Sequence, residues 1–135
     1  MPTMTAAQRR AAEKADYDAF LAQCPSRQLL DRLSDKWVTL AMVALDAGPQ
    51  RYSQLSRTIA GVSQKMLTQT LRTLERDGLV TRTVTASVPV TVTYELTGLG
   101  RSLQGVVELL KDWAESHMDE VVAARQAYDG SVTAP

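Results

Sequence analysis

The stretch GVSQKMLTQTLRTLERDGLV, residues 61–80, combines regularly spaced apolar residues with amides, hydroxyls and cations. As a helix it has one apolar face for packing, while its opposite face holds amides, hydroxyls and cations with no carboxylate before Glu75. A face that is merely solvated usually mixes both charge signs. Base edges and phosphates accept the groups found here. We therefore expect the start of this helix to read bases in a major groove through Ser63, Gln64, Lys65, Thr68 and Gln69.

Further basic and hydroxyl residues around this helix are candidates for phosphate contacts. They are Arg72 and Arg76 in its later turns, Arg51, Arg57 and Arg82 on its flanks, and Thr85 and Ser87 after it. Each of them taken singly also fits an ordinary solvated side chain, and Arg82 also fits an ion pair with Glu75 or Asp77. As a set, they favour DNA binding.

The charges are unevenly distributed along a chain whose net charge is zero. Residues 51–82 hold six basic and two acidic side chains, whereas residues 83–135 hold three basic and seven acidic ones. A basic middle followed by an acidic C-terminal region is the local electrostatic footprint of a nucleic-acid-binding surface. Chance unevenness in a short window is the alternative.

Apolar periodicity and turn residues divide the chain into elements. Helices are expected at residues 5–22, 26–33, 36–46, 53–59, 63–77 and 99–125. Ser26 and Ser63 are the expected N-caps, and Gly78 is expected just beyond the helix 63–77. The period then changes to two, which predicts a β-hairpin turning at residues 86–89. Helix, turn, helix and hairpin make a winged helix-turn-helix, a mainly α fold with a small β-hairpin (α+β).

We expect helices on both sides of this DNA-binding region to serve dimerisation. The expected organisation is an N-terminal helical arm at 1–23, the winged helix at 24–98, a dimerisation helix at 99–127 and a disordered tail at 128–135. Apolar residues of the two flanking helices are the candidates for a homodimer interface: Phe20, Leu103, Val106, Leu110, Trp113 and Val121. Packing of the last helix against the chain's own first helix is the alternative.

Several motifs resemble the HxlR-type winged-helix transcriptional regulators of bacteria, relatives of the MarR group. They are an early CP, DKW at the start of a helix, RYSQLSRTIAGVSQKMLTQTLRTLERDGLVTR, YELTGLG and a later Trp, spanning residues 24–113. Two places depart from the family pattern: Ser34 and Asp35 stand where glycines are usual, and residues 88–91 lack the usual cation of the wing. The resemblance implies a dimeric, sequence-specific repressor or activator that binds a palindromic or pseudo-palindromic operator.

Cys24 is a candidate redox sensor, because some regulators that resemble this chain sense oxidants or electrophiles through a cysteine at this position. A helix N-terminus lowers a thiol pKa, and Arg27 and Lys36 are further candidates to lower it. An inert, buried thiol is the alternative. A small ligand bound near Phe20, Trp37 or Trp113 is a competing trigger.

Composition narrows the remaining function classes. One cysteine and one histidine in 135 residues exclude an internal disulfide and provide too few ligands for a zinc site within one chain, so neither a metal nor a cofactor is expected. No apolar run reaches membrane-spanning length, and the start lacks a signal peptide, so we expect a cytoplasmic protein. The alternatives to a regulator are a thiol enzyme using Cys24 and a winged helix that binds only proteins. Without a nucleophile–base motif, we expect no enzyme.

Overall fold

A computed structural model of the chain describes residues 3–132. Within that range the elements are α1 (Ala6–Gln23), α2 (Pro25–Leu33), α3 (Lys36–Leu45), β1 (Gln50–Arg51), α4 (Tyr52–Thr58), α5 (Gln64–Arg76), β2 (Val80–Thr85), β3 (Thr91–Leu96) and α6 (Gly98–Val132). This order confirms the predicted winged helix-turn-helix and adds one short strand, β1. Residues 1–2 of the expected N-terminal arm lie outside the described residues.

Cys24 separates α1 from α2. Its backbone is extended (ψ 124°), and Pro25, which lacks an N–H group, occupies the first position of α2. Cys24 is therefore the N-cap residue of α2, and the expectation that Ser26 caps this helix is wrong. Helix α1 begins with a capping box, in which the N–H of Gln8 donates to Thr5 Oγ1 at 3.1 Å and the N–H of Thr5 donates to Gln8 Oε1 at 2.9 Å.

The buried core lies between α3, α4, α5 and the sheet. Asp35 begins α3 by accepting hydrogen bonds from the N–H groups of Trp37 (2.9 Å) and Val38 (3.4 Å). Full burial of one aliphatic side chain stabilises a fold by roughly 1.5–3 kcal/mol, so this cluster dominates the stability of the domain. Its members are Val38, Ala41, Met42, Leu45, Leu55, Ile59, Leu67, Leu71, Leu74, Leu79, Val80, Tyr94 and Leu96.

Helix α5 has defined ends that fix which of its faces is buried. Ser63 Oγ accepts the N–H of Met66 at 3.1 Å, which confirms Ser63 as the N-cap. At the other end Gly78 has a φ of 75°, which confirms it as the residue beyond the C-cap. Its N–H donates to the carbonyl of Glu75 at 3.0 Å, and the N–H of Leu79 donates to the carbonyl of Leu74 at 2.9 Å, a Schellman motif.

The sheet is antiparallel with strand order β1-β3-β2. Val80 lies opposite Leu96 and Arg82 opposite Tyr94, so these four side chains share the face that covers α5 and the core. The connection at residues 86–90 contains the predicted hairpin turn. Strand β1 was not predicted because two residues are too few to show an alternating pattern; Gln50 lies opposite Tyr94.

Helix α6 has 35 residues and packs on the core only through its first three turns. Gly100 lies so close to the backbone of Leu79 that a Cβ there would collide with the carbonyl oxygen of Leu79. From Glu108 to Ser131 no residue is buried. The helix continues to Val132, so the expected disordered tail is wrong for residues 128–132, and residues 133–135 lie outside the described residues.

Candidate nucleic-acid interface

The outward face of α5 is polar and exposed. Leu67, Thr70, Leu71 and Leu74 are buried on the inner face, which leaves the predicted base-reading residues on the outer one. Gln64, Lys65, Gln69 and Arg72 are exposed, Thr68 is half-buried, and together these five line one shallow depression on the protein surface. The structure therefore brings these five predicted contact residues together on one surface of α5.

Arg82 lies between the helix and the sheet. A cleft of about 370 Å³ separates α5 from the hairpin, and it is lined by Thr68, Leu71, Arg72, Glu75, Arg82 and Tyr94. The guanidinium of Arg82 thus belongs to the same concave surface as Arg72. The alternative, an ion pair with Glu75 or Asp77, does not form in the structure.

The basic residues of this surface have no acidic partners. Ion pairs within residues 3–132 join Arg27 to Asp31, Arg32 to Asp77 and Lys111 to Glu115. In that range none of the six predicted cations forms one: Arg51, Arg57, Lys65, Arg72, Arg76 and Arg82, all of which are exposed. Their positive charge is therefore available to an external anion.

Arg32 is a residue that sequence reasoning missed. Its Nε lies 2.5 Å from Asp77 Oδ2, and this contact joins the last turn of α2 to the C-cap of α5. Asp77 is the hydrogen-bond partner that raises the pKa of Arg32 above its ordinary value. The pair removes the charge of one of the two carboxylates at residues 51–82, which leaves the surface around α5 more positive than the sequence count indicates.

Tyr52, the first residue of α4, contacts α5 directly. Its ring is half-buried against the core, and its hydroxyl donates to the carbonyl oxygen of Gln64 at 3.0 Å. The same hydroxyl lies 3.1 Å from Thr68 Oγ1. Tyr52 therefore fixes α4 against the first turns of α5, a role that no local pattern reveals because Tyr52 and Thr68 lie 16 positions apart.

The wing is weaker in contact groups than the helix. Thr85 and Ser87 are exposed, as a phosphate contact requires. However, Ser87 Oγ donates to the carbonyl of Pro89 at 2.8 Å, and the N–H of Ser87 donates to the carbonyl of Thr85 at 2.9 Å. Because these donors are used within the turn, Ser87 can offer only an acceptor, which phosphate oxygens do not need.

Cys24 is partly exposed at the start of α2. The backbone N–H of Arg27, and after it that of Ser26, lower the pKa of the Cys24 thiol, as expected at a helix N-terminus. Arg27 acts here through its backbone, whereas its guanidinium lies 4.0 Å from Asp31. The amino group of Lys36 lies over the Trp37 ring, 4.6 Å from its centroid, so the expected contribution of these two cations is not found.

The candidate dimer residues divide into two groups. Phe20, Val106, Leu110 and Trp113 are exposed, with Phe20 at 68% and Trp113 at 53%. Leu103 instead packs partly on the chain's own core, and Val121 is half-buried. The sequence reasoning missed Leu109, which is 69% exposed. The alternative of α6 packing on α1 is not seen, because α1 has no buried residue and contacts α2.

None of the helices in residues 3–132 is both long enough and apolar enough to cross a membrane.

Comparison with known proteins assigns the chain to a family. Residues 32–122 match the model of the HxlR-like helix-turn-helix family. The HTH-type transcriptional regulator YtfH of Escherichia coli (strain K12) is 45% identical over 106 residues, which cover 78% of this chain and 84% of YtfH.

Two solved structures are similar over most of their length. The transcriptional regulator ytfH from Salmonella typhimurium matches with a TM-score of 0.72 and 43% identity, covering 79% of this chain and 96% of that one. The redox regulator HypR in its oxidised form matches with a TM-score of 0.66 and 38% identity, covering 70% and 97%. These matches confirm the resemblance predicted from the sequence: the chain belongs to the HxlR-like helix-turn-helix family of DNA-binding transcriptional regulators.

Proposed function

We propose that the protein acts as a homodimer in which each α5 enters the major groove of one half of a palindromic or pseudo-palindromic operator. One observation carries the proposal: the exposed face of α5 is polar and cationic, and its cations form no ion pair within residues 3–132. Two such helices related by a two-fold axis fit half-sites about 34 Å apart, one turn of DNA.

The first turns of α5 supply the base contacts in this proposal. Gln64 and Gln69 carry amides that pair bidentately with adenine, and Lys65 reaches O6 or N7 of guanine. Ser63 Oγ accepts the N–H of Met66, so its own hydrogen is available to a phosphate oxygen. The positive end of the helix dipole adds to that attraction.

The arginines supply affinity that is independent of base sequence. Arg72 and Arg82 share one cleft beside α5, Arg76 lies in the last turn of the helix, and Arg51 and Arg57 lie at the two ends of α4. Each phosphate neutralised releases counterions, so binding must weaken steeply with salt.

Exposed apolar side chains support the dimer. Phe20 on α1 and Leu109, Leu110 and Trp113 on α6 are each more than half exposed in the single chain. Patches of this kind on soluble proteins mark interaction surfaces. The two flanking helices are therefore proposed to pack on a second copy.

The test is fluorescence anisotropy with a duplex that wild-type protein selects from a random library, across a salt series. Arg72→Gln is expected to reduce the slope of log affinity against log salt by about 0.9 for each half-site. Arg125→Gln, a matched change on α6, leaves the slope unchanged. Equal losses in both variants, or no sequence selected at all, would contradict the proposal.

We also propose that oxidation of Cys24 changes DNA affinity. The chain has one cysteine, so a disulfide would join two chains: two thiols lose two protons and two electrons to an oxidant such as diamide, which is reduced to its hydrazine. Strain at the N-cap of α2 would reach α5 through the Arg32–Asp77 pair. The lowered thiol pKa supports this role, as does the likeness to HypR.

Two measurements test the thiol proposal. Because the pKa of Cys24 is lowered, its alkylation by iodoacetamide should accelerate at a lower pH than that of a free cysteine. Diamide should change DNA affinity in wild type and leave Cys24→Ser unaffected. A response to diamide that persists in Cys24→Ser would refute the thiol switch.

The protein is proposed to bind rather than to catalyse. A thiol peroxidase needs a resolving thiol or a positioned base, and the single histidine, His117, stacks on Trp113 in α6 with ring centroids 4.7 Å apart. Stoichiometric oxidation by peroxide is expected, and catalytic turnover would instead establish an enzyme.

A further inference from the structure

The hydroxyl of Tyr52 has a single hydrogen. Its oxygen lies 3.0 Å from the carbonyl oxygen of Gln64, to which it donates. Thr68 Oγ1 lies 3.1 Å from the same hydroxyl oxygen. Since a carbonyl oxygen cannot donate, Tyr52 donates to Gln64 and accepts from Thr68. The one hydroxyl hydrogen of Thr68 is thus used inside the protein.

The carbonyl oxygen of Gln64 is an alternative partner of this hydroxyl, and the same contacts exclude it. A helical threonine often donates to the carbonyl four residues earlier, which for Thr68 is Gln64. That oxygen already accepts the helical N–H of Thr68 and the Tyr52 hydroxyl, which fills its two lone pairs. Phosphate oxygens only accept, so Thr68 cannot serve them without breaking its bond to Tyr52.

The hydrogen bond also fixes the direction of the threonine methyl group. Threonine has one torsion, χ1, so a hydroxyl held toward α4 leaves the methyl in a single orientation. Tyr52 is a firm anchor because its ring packs on the core. Thr68 itself is half-buried and lies between the depression lined by Gln64, Lys65 and Gln69 and the cleft lined by Arg82.

From this arrangement we propose that Thr68 reads the 5-methyl group of a thymine, and that Tyr52 is the positioning residue that directs the Thr68 methyl toward it. The proposal rests on α5 entering the major groove, as proposed above. Thymine is the base that presents an apolar group there, and a methyl is the apolar part of Thr68 amid amides and cations. The pair thereby makes thymine preferred to cytosine at one position of each half-site.

The experiment uses the full-length protein and the duplex that it selects from a random library. Each thymine is replaced in turn by deoxyuridine, which removes the 5-methyl group and keeps the base pairing. At one position per half-site, wild type should lose about fourfold in affinity, the effect of exposing one methyl group to water. Thr68→Ser, which keeps the hydroxyl and loses the methyl, should bind both duplexes equally.

Two further variants separate this role from a merely structural one. Tyr52→Phe keeps the ring in the core and removes the anchor, so the ratio of thymine to deoxyuridine affinity should fall toward one. Thr73→Ser removes a methyl from the same helix outside the polar depression, and its ratio should equal that of wild type. The thermal midpoints of these variants control for folding.

The outcomes also distinguish the inference from the proposed function. If wild type binds its duplex selectively and no thymine shows the effect, or if Thr68→Ser keeps the full ratio, the methyl-reading role is overturned while the DNA-reading function stands. If wild type selects no sequence, both fail.

Discussion

The winged helix and the helices that flank it treat the same residue types in opposite ways. Leu71 in α5 is 2% exposed, whereas Leu109 in α6 is 69% exposed. In the winged helix, apolar side chains meet partners from three helices and the sheet of the same chain. On α1 and the distal part of α6, aliphatic and aromatic side chains meet none of the core.

The difference is between a hydrophobic core that one chain buries by itself and apolar side chains that one chain leaves exposed. The core between α3 and α5 is a hydrophobic cluster buried entirely by residues of one chain, so the winged helix folds on its own contacts. By contrast, Phe20, Leu109 and Trp113 are exposed. Burying any of these side chains in an interface would lower the free energy, because apolar surface would be removed from water. This exposure is the reason for proposing that the flanking helices pack on a second copy of the chain.

The largest expected effect comes from a substitution in the buried core of the winged helix. Leu71→Ala should lower the free energy of unfolding by about 2–5 kcal/mol, because it leaves a cavity between α5 and the rest of the core. Urea denaturation measures it. Leu109→Ala is the matched leucine substitution outside the core. An equal loss for Leu109→Ala in a monomeric sample would mean that the two regions do not differ.

A substitution in the exposed apolar face of α6 should change the oligomeric state rather than the stability of the fold. Leu110→Asp places a charge in the exposed apolar face of α6 and should convert a dimer to a monomer in sedimentation velocity. DNA affinity should fall about 100-fold because a single half-site remains engaged. Gln126→Asp, on an exposed polar position of the same helix, should leave both unchanged. A Leu110→Asp protein that stays dimeric would place the interface elsewhere.

The boundary between the two regions contains a weak point, Gln104. This side chain of α6 is 2% exposed, and neither its Oε1 nor its Nε2 has a hydrogen-bond partner among the described residues. Gln104→Leu should raise the free energy of unfolding by about 1–3 kcal/mol, since a buried amide without partners is costly. Gln126→Leu is the exposed control. A destabilised Gln104→Leu would indicate that a water molecule satisfies the amide.

The smallest expected effect concerns the ion pair at the edge of the winged helix. The side chains of Arg32 and Asp77 are 42% and 27% exposed, so solvent screens their attraction. Asp77→Asn should cost about 1 kcal/mol or less in thermal or urea unfolding. Glu75→Gln, which removes an exposed carboxylate without an ion pair, should cost less still. A larger loss for Glu75→Gln would refute the assigned role of Asp77.

The fold was predictable because its signals are local. Ser63 and Gly78 mark the ends of α5, and the change of period after Gly78 marks the hairpin, so nearest-neighbour chemistry suffices there. Strand β1 escaped because two residues carry no period. The end of α6 was placed too early because residues 128–132 lack an apolar pattern, while the helix continues without one.

The candidate site was predictable only in its exposed part. The outer face of α5 follows from helical spacing, so Gln64, Lys65 and Arg72 could be assigned in advance. Arg32 joins Asp77 across 45 positions, and Tyr52 joins Thr68 across 16. No local pattern encodes such pairings, because they depend on how whole helices pack.

The unbroken length of α6 has a consequence for how this protein tolerates change. At 1.5 Å per residue the helix is about 50 Å long. Its first turns pack on the winged helix through Gly100 and Val107. One residue inserted just after Val107 would rotate Leu110 and Trp113 by about 100° about the helix axis. Seven inserted residues would nearly restore the phase and add about 10 Å. In the proposed dimer, a one-residue insertion would therefore change the direction in which the apolar face of α6 meets the second copy.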